Sequence, residues 1–204
     1  MSDTITMFLV WIITAYLIGS IPFGLILTRI AGLGDIRKIG SGNIGATNVL
    51  RTGRKKLAIA TLILDMAKGG VTVSVVEQIS GKESAWACAV AVFFGHLYPV
   101  WLGFKGGKGV AVFFGILLAL SWMLFFVAVG TWLTVAVAFR FSSLAALSAT
   151  VAVPIAAQVL FRMPQLALLS MMLGVFIFWR HRNNIRQLID GSEPKINMGN
   201  RDVK

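Results

Sequence analysis

Long apolar runs alternate with short polar, glycine-rich or basic segments along the whole chain. Runs of roughly 17–25 mainly apolar residues can cross a bilayer core as helices. Such runs lie near residues 7–29, 57–79, 85–104, 144–161 and 165–179. Residues 109–139 form a further stretch, too long for one upright helix and short for two full ones. Loop charge arbitrates, because cytoplasmic loops are enriched in Lys and Arg. With the N-terminus outside, residues 30–56 put Arg37, Lys38, Arg51, Arg54, Lys55 and Lys56 inside, and Lys105 and Lys108 return inside. A single span over 109–139 would leave Arg180, Arg182 and Arg186 outside. A hairpin of two short helices, turning around residues 120–122, brings them inside and leaves Lys82 and Arg162 outside. The pattern thus predicts an all-α integral membrane protein with seven transmembrane helices, two of them short, N-terminus outside and C-terminus cytoplasmic. No internal repeat stands out, and residues 1–204 read as one integral membrane domain.

Composition agrees. Of 204 residues 57% are hydrophobic and 13% charged, with mean hydropathy +0.81, far from a soluble domain. The net charge of +11 suits an anionic membrane surface or anionic substrates. Nucleic acid is the weaker choice, since the basic residues come in short groups between apolar runs rather than along one polar face. Cys88 is the single cysteine, which excludes an intrachain disulfide, and with two histidines a His/Cys metal cage is not expected. The opening "MSDTITM" lacks the basic region of a signal peptide, so the first apolar run is expected to be retained.

Three polar segments fall on the predicted cytoplasmic side. The first, "GSGNIGATNVLR" (residues 40–51), carries Gly40, Gly42 and Gly45, which permit positive φ and close backbone approach. Successive amides in such a turn can form an anion nest, more so if a short helix begins near Ala46. Ser41, Asn43, Thr47 and Asn48 add side-chain donors, and Arg51 adds a fork suited to phosphate. An ordinary flexible loop has the same composition. The second, "GHLYPVWLGFKGGKGVA" (residues 95–111), is close to a P-loop without being one. Three residues separate Gly103 from Gly107, and Gly109 stands where Ser or Thr would hold magnesium. Lys105 and Lys108 around Gly106 and Gly107 suit a phosphate or, more plainly, anchor a helix end. His96 reads as a buried structural histidine. The third, "WRHRNNIRQLIDGSEPK" (residues 179–195), places His181 and Asn184 on one face if the last helix continues through it. Its arginines read as a snorkelling basic end, whereas His181 suits proton transfer or phosphate contact. Asp65 and Lys68, three apart inside a span, are expected to pair towards the bundle interior. "RFSS" (residues 140–143) forms a short inside turn, from which Ser142 or Ser143 could face the same site.

Together, "SGNIGATNVLR", "GHLYPVWLGFKGGKGVA" and "RHRNNIRQLIDGSE" resemble, in order and over nearly the whole chain, the bacterial acyl-phosphate:glycerol-3-phosphate acyltransferases. The resemblance implies transfer of a fatty acyl group from acyl phosphate to the 1-hydroxyl of sn-glycerol 3-phosphate, the first acylation of phospholipid synthesis. It implies no cofactor, no metal, no acyl carrier protein and no coenzyme A, and a multi-pass enzyme of the bacterial inner membrane, acting as a monomer at its cytoplasmic face. By position, Gly40, Ser41, Gly42, Asn43, Gly45, Ala46, Thr47 and Asn48 would hold the acyl phosphate. Arg51, Lys105 and Lys108 would bind the phosphate of glycerol 3-phosphate. Ser142 or Ser143, with His181 and Asn184, would orient the glycerol, and Ser41, His181 and Asn184 would be the residues closest to the chemistry. Glu193 matches an acidic position after the third segment's glycine and would hold the tail.

The chemistry is consistent with this set. An acyl phosphate is an activated mixed anhydride, so hydroxyl attack needs mainly positioning and charge stabilisation. A substrate phosphate oxygen or His181 would take the proton. A transporter, the main rival, would show repeats and broken helices near the midplane; a lipid-binding anchor would need basic ends alone and leave "SGNIGATN" unexplained.

Overall fold

The structure, a computed structural model, describes residues 2–196, and these contain helices and no strand. Two compact units divide the chain, Met1–Phe125 and Phe126–Lys204.

In the first unit, α1 (Ser2–Gly19) is followed by α2 (Phe23–Ile30). The expected single span over residues 7–29 is therefore a broken one, bent by 41°. Pro22 lacks an amide to continue the ladder and restricts the residue before it. Ser20 Oγ donates to the Tyr16 carbonyl at 2.9 Å, satisfying one acceptor at the break. A one-turn 3₁₀ segment (Ile36–Lys38) is capped by Asp35, whose side chain accepts from the Arg37 amide. The short α3 (Ala46–Leu50) begins where the glycine-rich segment predicted a helix. Next, α4 (Lys55–Leu97) runs 43 residues with non-helical backbone at Gly81 (φ 78°, ψ 177°), between the two apolar runs read there from the sequence. A second 3₁₀ turn (Val100–Leu102) and α5 (Val110–Leu120) complete the unit.

Close backbone approach packs α1 and α5 onto α4. A Cβ at Gly19 would stand 2.1 Å from the Val92 carbonyl oxygen, and one at Gly95 2.2 Å from that of Tyr16. On the α5 side, Gly69 and Gly70 abut Val112 and Gly115. Small residues at such crossings are how helices associate where lipid supplies no hydrophobic drive.

The chain leaves α5 at Ser121, whose backbone is extended (φ −162°), within the turn expected at residues 120–122. It then enters α6 (Trp122–Phe139). The two helices expected to be short are unequal: α5 has 11 residues and α6 has 18.

In the second unit, α7 (Ser142–Val159) packs on α8 (Pro164–Arg180), with Gly174 set close to the Thr150 methyl. The last helix does not continue through the third polar segment. His181 (φ −96°, ψ 4°) ends α8 and a separate α9 (Arg182–Ile189) follows. Gly191 (φ 76°) then reverses the chain, the left-handed position glycine fills after a helix end. Ser192 donates to Asp190 Oδ1 through its amide (3.0 Å) and its hydroxyl (2.5 Å), which holds the Asp190 carboxyl below its ordinary value.

Large apolar side chains point outward along these helices, among them Ile63, Val71, Val137, Val151 and Leu168. In water that would be an aggregation surface; against lipid it is the expected exterior. Among the described residues, three helical stretches are by length and composition able to cross a membrane, Lys55–Leu102, Trp122–Phe139 and Ser142–Val159, or four if the bent pair counts as one span. Two shorter apolar helices, Val110–Leu120 and Pro164–Arg180, accompany them.

Candidate active site

In the first unit the glycine-rich segment is a shaped loop, and Asn48 shapes it. Its buried amide nitrogen lies within donating distance of the carbonyls of Ile36 (3.0 Å), Ile39 (2.9 Å) and Asn43 (2.8 Å), so its two protons are shared among three acceptors, while its oxygen accepts from the Ser41 amide at 3.0 Å. The side chain is engaged in holding the loop rather than in presenting a donor outward. Asn43 plays a smaller version of this part, its Oδ1 accepting from the Gly45 amide at 3.1 Å. Gly40 (φ 56°) and Gly42 (φ 68°) use the left-handed region as expected. Gly45 does not; its backbone is extended at φ −83°. The expected nest is correspondingly trimmed, because the amides of Ser41, Gly42 and Gly45 already donate within the loop. Arg51 folds back across Gly40, where a Cβ would stand 2.9 Å from its Cδ. Ser41, Thr47 and Arg51 are exposed.

The second segment closes the end of α4. The Gly106 amide donates to the Leu97 carbonyl (3.1 Å) and the Gly107 amide to that of His96 (3.0 Å). Of the two readings the sequence left open, a phosphate cradle or a helix-end anchor, these amides serve the second, meeting carbonyls of a helix C-terminus. Glycine is needed here for space: a Cβ at Gly106 would stand 2.2 Å from the His96 oxygen and one at Gly107 2.1 Å from His96 Nε2. Lys105 is exposed and Lys108 half-buried. The two segments share an apolar anchor, since Leu102 packs on the cluster of Leu25, Ile36, Val49 and Ala58. His96 is buried, as the sequence indicated, and so are Asp65 and Lys68, paired at 2.8 Å.

In the second unit a buried carboxylate organises the third segment. Glu193 Oε1 accepts from the Ser143 hydroxyl at 2.5 Å and from the Asn184 amide at 2.9 Å, and Oε2 accepts from the same amide at 3.0 Å. This ties the first turn of α7 to α9. It selects Ser143, which is buried, over Ser142 as the serine in this network. The Asp190–Gly191–Ser192 turn delivers Glu193 there, so "DGSE" carried the signal, although its spacing alone names no partner. The tail is fastened again where the Ile196 amide donates to the Arg140 carbonyl at 2.6 Å. His181, 3% exposed, has Nδ1 2.8 Å from the Ile177 carbonyl. A carbonyl accepts only, so Nδ1 carries a proton and donates, and whenever the ring is neutral Nε2 is its accepting nitrogen. No group of three or more His, Cys, Asp or Glu able to hold a metal occurs among the described residues.

Apolar outward faces and helices packed through glycine define a helical membrane protein, in which three polar segments are rich in cations and glycine. Comparison with known proteins narrows the class. Residues 9–191 match the family model of glycerol-3-phosphate acyltransferase. The chain is 54% identical over 185 residues to a glycerol-3-phosphate acyltransferase of Mesorhizobium japonicum, covering 91% of this chain and 94% of that one. It is 57% identical over 181 residues to one of Paramagnetospirillum magneticum, covering 89% and 90%. Crystal structures of PlsY (YgiH), an integral membrane glycerol 3-phosphate acyltransferase, superpose with TM-scores of 0.88 (glycerol 3-phosphate form, 35% identity, 93% of this chain and 96% of that one) and 0.85 (lysophosphatidic acid form, 34% identity, 93% and 95%). The chain belongs to the glycerol-3-phosphate acyltransferase family and is an integral membrane enzyme of that class.

Proposed function

We propose that this enzyme transfers a fatty acyl group from acyl phosphate to the 1-hydroxyl of sn-glycerol 3-phosphate, releasing lysophosphatidic acid and inorganic phosphate, by direct attack and without an acyl-enzyme. The match over residues 9–191 carries this reading, because it takes in the first two polar segments and the third as far as Gly191. The loop held by Asn48 receives the phosphoryl group of the donor, with Ser41, Thr47 and the start of α3 at its mouth. Arg51, Lys105 and Lys108 take the phosphate of glycerol 3-phosphate, for which a guanidinium fork and two ammonium groups are suited. Ser143, Asn184 and His181 orient the glycerol, and Glu193 sets the first two. The His181 Nε2 lone pair can accept from the attacking hydroxyl, and a phosphate oxygen of the donor is the other acceptor available for that proton. Transfer from a mixed anhydride then needs position and fixed charge, which raise the rate without a protein nucleophile.

The same reading places the chain in the bacterial inner membrane as a monomer, in seven crossings with the N-terminus out and the reaction at the cytoplasmic face. Its support is that α4, 43 residues broken at Gly81, is about twice the length one crossing needs, and that each polar segment carries Lys or Arg.

Purified protein in detergent, given acyl phosphate and glycerol 3-phosphate, should release phosphate and lysophosphatidic acid in equal amounts. Radiolabelled acyl donor alone should leave no label on the protein. Acyl label that survives denaturation and chases into product would overturn direct attack.

A further inference from the structure

Three buried side chains that the proposed mechanism does not use form one network in the first unit. Lys68 Nζ donates to the Ile21 carbonyl at 2.8 Å, lies 2.9 Å from His96 Nδ1, and stands 2.8 Å from Asp65 Oδ1 as an ion pair without hydrogen-bond alignment. An ammonium carries three donors and no acceptor. In the charged pair with Asp65 the Lys68 ammonium can only donate, and in that state Nδ1 is the accepting nitrogen of His96 and the ring proton sits on Nε2. That nitrogen lies against Gly107. The His96 main-chain carbonyl holds the Gly107 amide, and the neighbouring Leu97 carbonyl holds the Gly106 amide.

Charge inside a membrane span is expensive, and a buried pair that only joined successive turns of one helix could be replaced by apolar residues at no loss. This pair reaches further. It joins the Ile21 carbonyl at the α1–α2 break to the imidazole on which the glycine turn is seated. We infer that Asp65, Lys68 and His96 are positioning residues for the second polar segment. The charged pair fixes the His96 ring, the ring and its carbonyl fix the backbone of Gly106 and Gly107, and that backbone fixes the origins of Lys105 and Lys108. The inference rests on the reading that these two lysines bind the phosphate of glycerol 3-phosphate.

The test uses the full chain purified in detergent, with His96→Gln and Lys68→Met as variants and Lys105→Gln as reference. Misplacement of a binding group by about 1 Å lowers rates up to about a hundredfold. The expected result is a KM for glycerol 3-phosphate raised about tenfold or more in H96Q and K68M, with the KM for acyl phosphate within about twofold of wild type. Where K105Q raises the glycerol 3-phosphate KM, an unchanged value in H96Q and K68M, or an equal rise in both KM values, overturns the inference. Should K68M fail to purify as a monodisperse species, H96Q decides, since it strands no charge. Trypsin cleavage after Lys105 and Lys108, set against cleavage after Arg37 and Lys38 in the same sample, reads the order of the turn without substrate. Faster cleavage confined to Lys105 and Lys108 in H96Q supports the positioning role even if K105Q leaves the glycerol 3-phosphate KM unchanged and so refutes the phosphate assignment. Cleavage unchanged, or faster at every site, overturns it.

Discussion

Replacing Glu193 by Gln removes the charge that joins α7 to α9 while keeping the size of the side chain. The native carboxylate accepts the Ser143 hydroxyl on one oxygen and the Asn184 amide on both. A glutamine that keeps its oxygen towards Ser143 holds that bond and one branch of the Asn184 contact. Its own NH₂ then meets the NH₂ of Asn184, so the second branch becomes donor against donor. Hydrogen bonds to charged groups contribute about 1.5–3 kcal/mol and neutral ones about half that. Two bonds weakened and one branch lost sum to about 2–3 kcal/mol. If Ser143 and Asn184 orient glycerol, that loss divides between the melting temperature and kcat/KM for glycerol 3-phosphate. A decrease of about 30- to 160-fold in kcat/KM corresponds to its falling wholly on the reaction. Steady-state kinetics of E193Q, S143A and the double variant, with thermal unfolding in the same detergent, separate the shares. The three residues form one network, so the double variant should lose less than the sum of the singles. Wild-type kinetics and stability in E193Q, or strict additivity, would refute the reasoning.

Lys105→Gln should raise the KM for glycerol 3-phosphate at least tenfold with little change in the donor KM, as expected when a charge-assisted contact of about 1.5–3 kcal/mol is removed; equal kinetics would exclude that lysine from the site. Gly95→Ala drives a Cβ to 2.2 Å from the Tyr16 carbonyl oxygen; overpacking of this kind is destabilising by about 1–3 kcal/mol, and an unchanged melting temperature would remove the close α1–α4 crossing from the account. The Arg37 side chain and amide hold the Asp35 carboxyl well below its ordinary value of 3.8. A depressed carboxylate stabilises above that value and ceases to do so as pH falls through the folded one. Because the pair lies at the surface, with the Arg37 side chain 38% and the Asp35 side chain 19% exposed, solvent screens it and D35N should lower stability by no more than about 1 kcal/mol at pH 7, and thermal unfolding should show the difference shrinking in acid. In a Cys88→Ser background, a cysteine placed at Lys82 should react with an impermeant thiol reagent in intact cells and one at Lys55 should not; the reverse pattern would overturn the proposed orientation.

Much of this protein was legible in one dimension. Lipid demands continuous apolar length, which any run of twenty residues displays, and glycines, prolines and cations punctuate it. The helix start at Ala46, the break at Ser121, the burial of His96 and the Asp65–Lys68 pair all follow from such local rules. The family was legible because three unusual segments recur in fixed order.

What spacing could not supply was the partner of each polar group. Asn48 looks like a ligand-facing donor in the sequence, yet its amide meets three carbonyls brought to it by the preceding 3₁₀ turn and loop. The glycines of the second segment look like an anion cradle, yet they lie against the end of α4 because only a hydrogen there clears His96. Glu193 finds Ser143 fifty residues away, and Lys68 finds His96 twenty-eight away. Hydrogen bonds and steric limits act over a few ångströms in space, whereas hydrophobic periodicity acts along the chain. The sequence by itself therefore determined which stretches are helices suited to lipid and which are polar. Tertiary packing alone decided which polar atoms hold the fold, because their partners are distant in the chain.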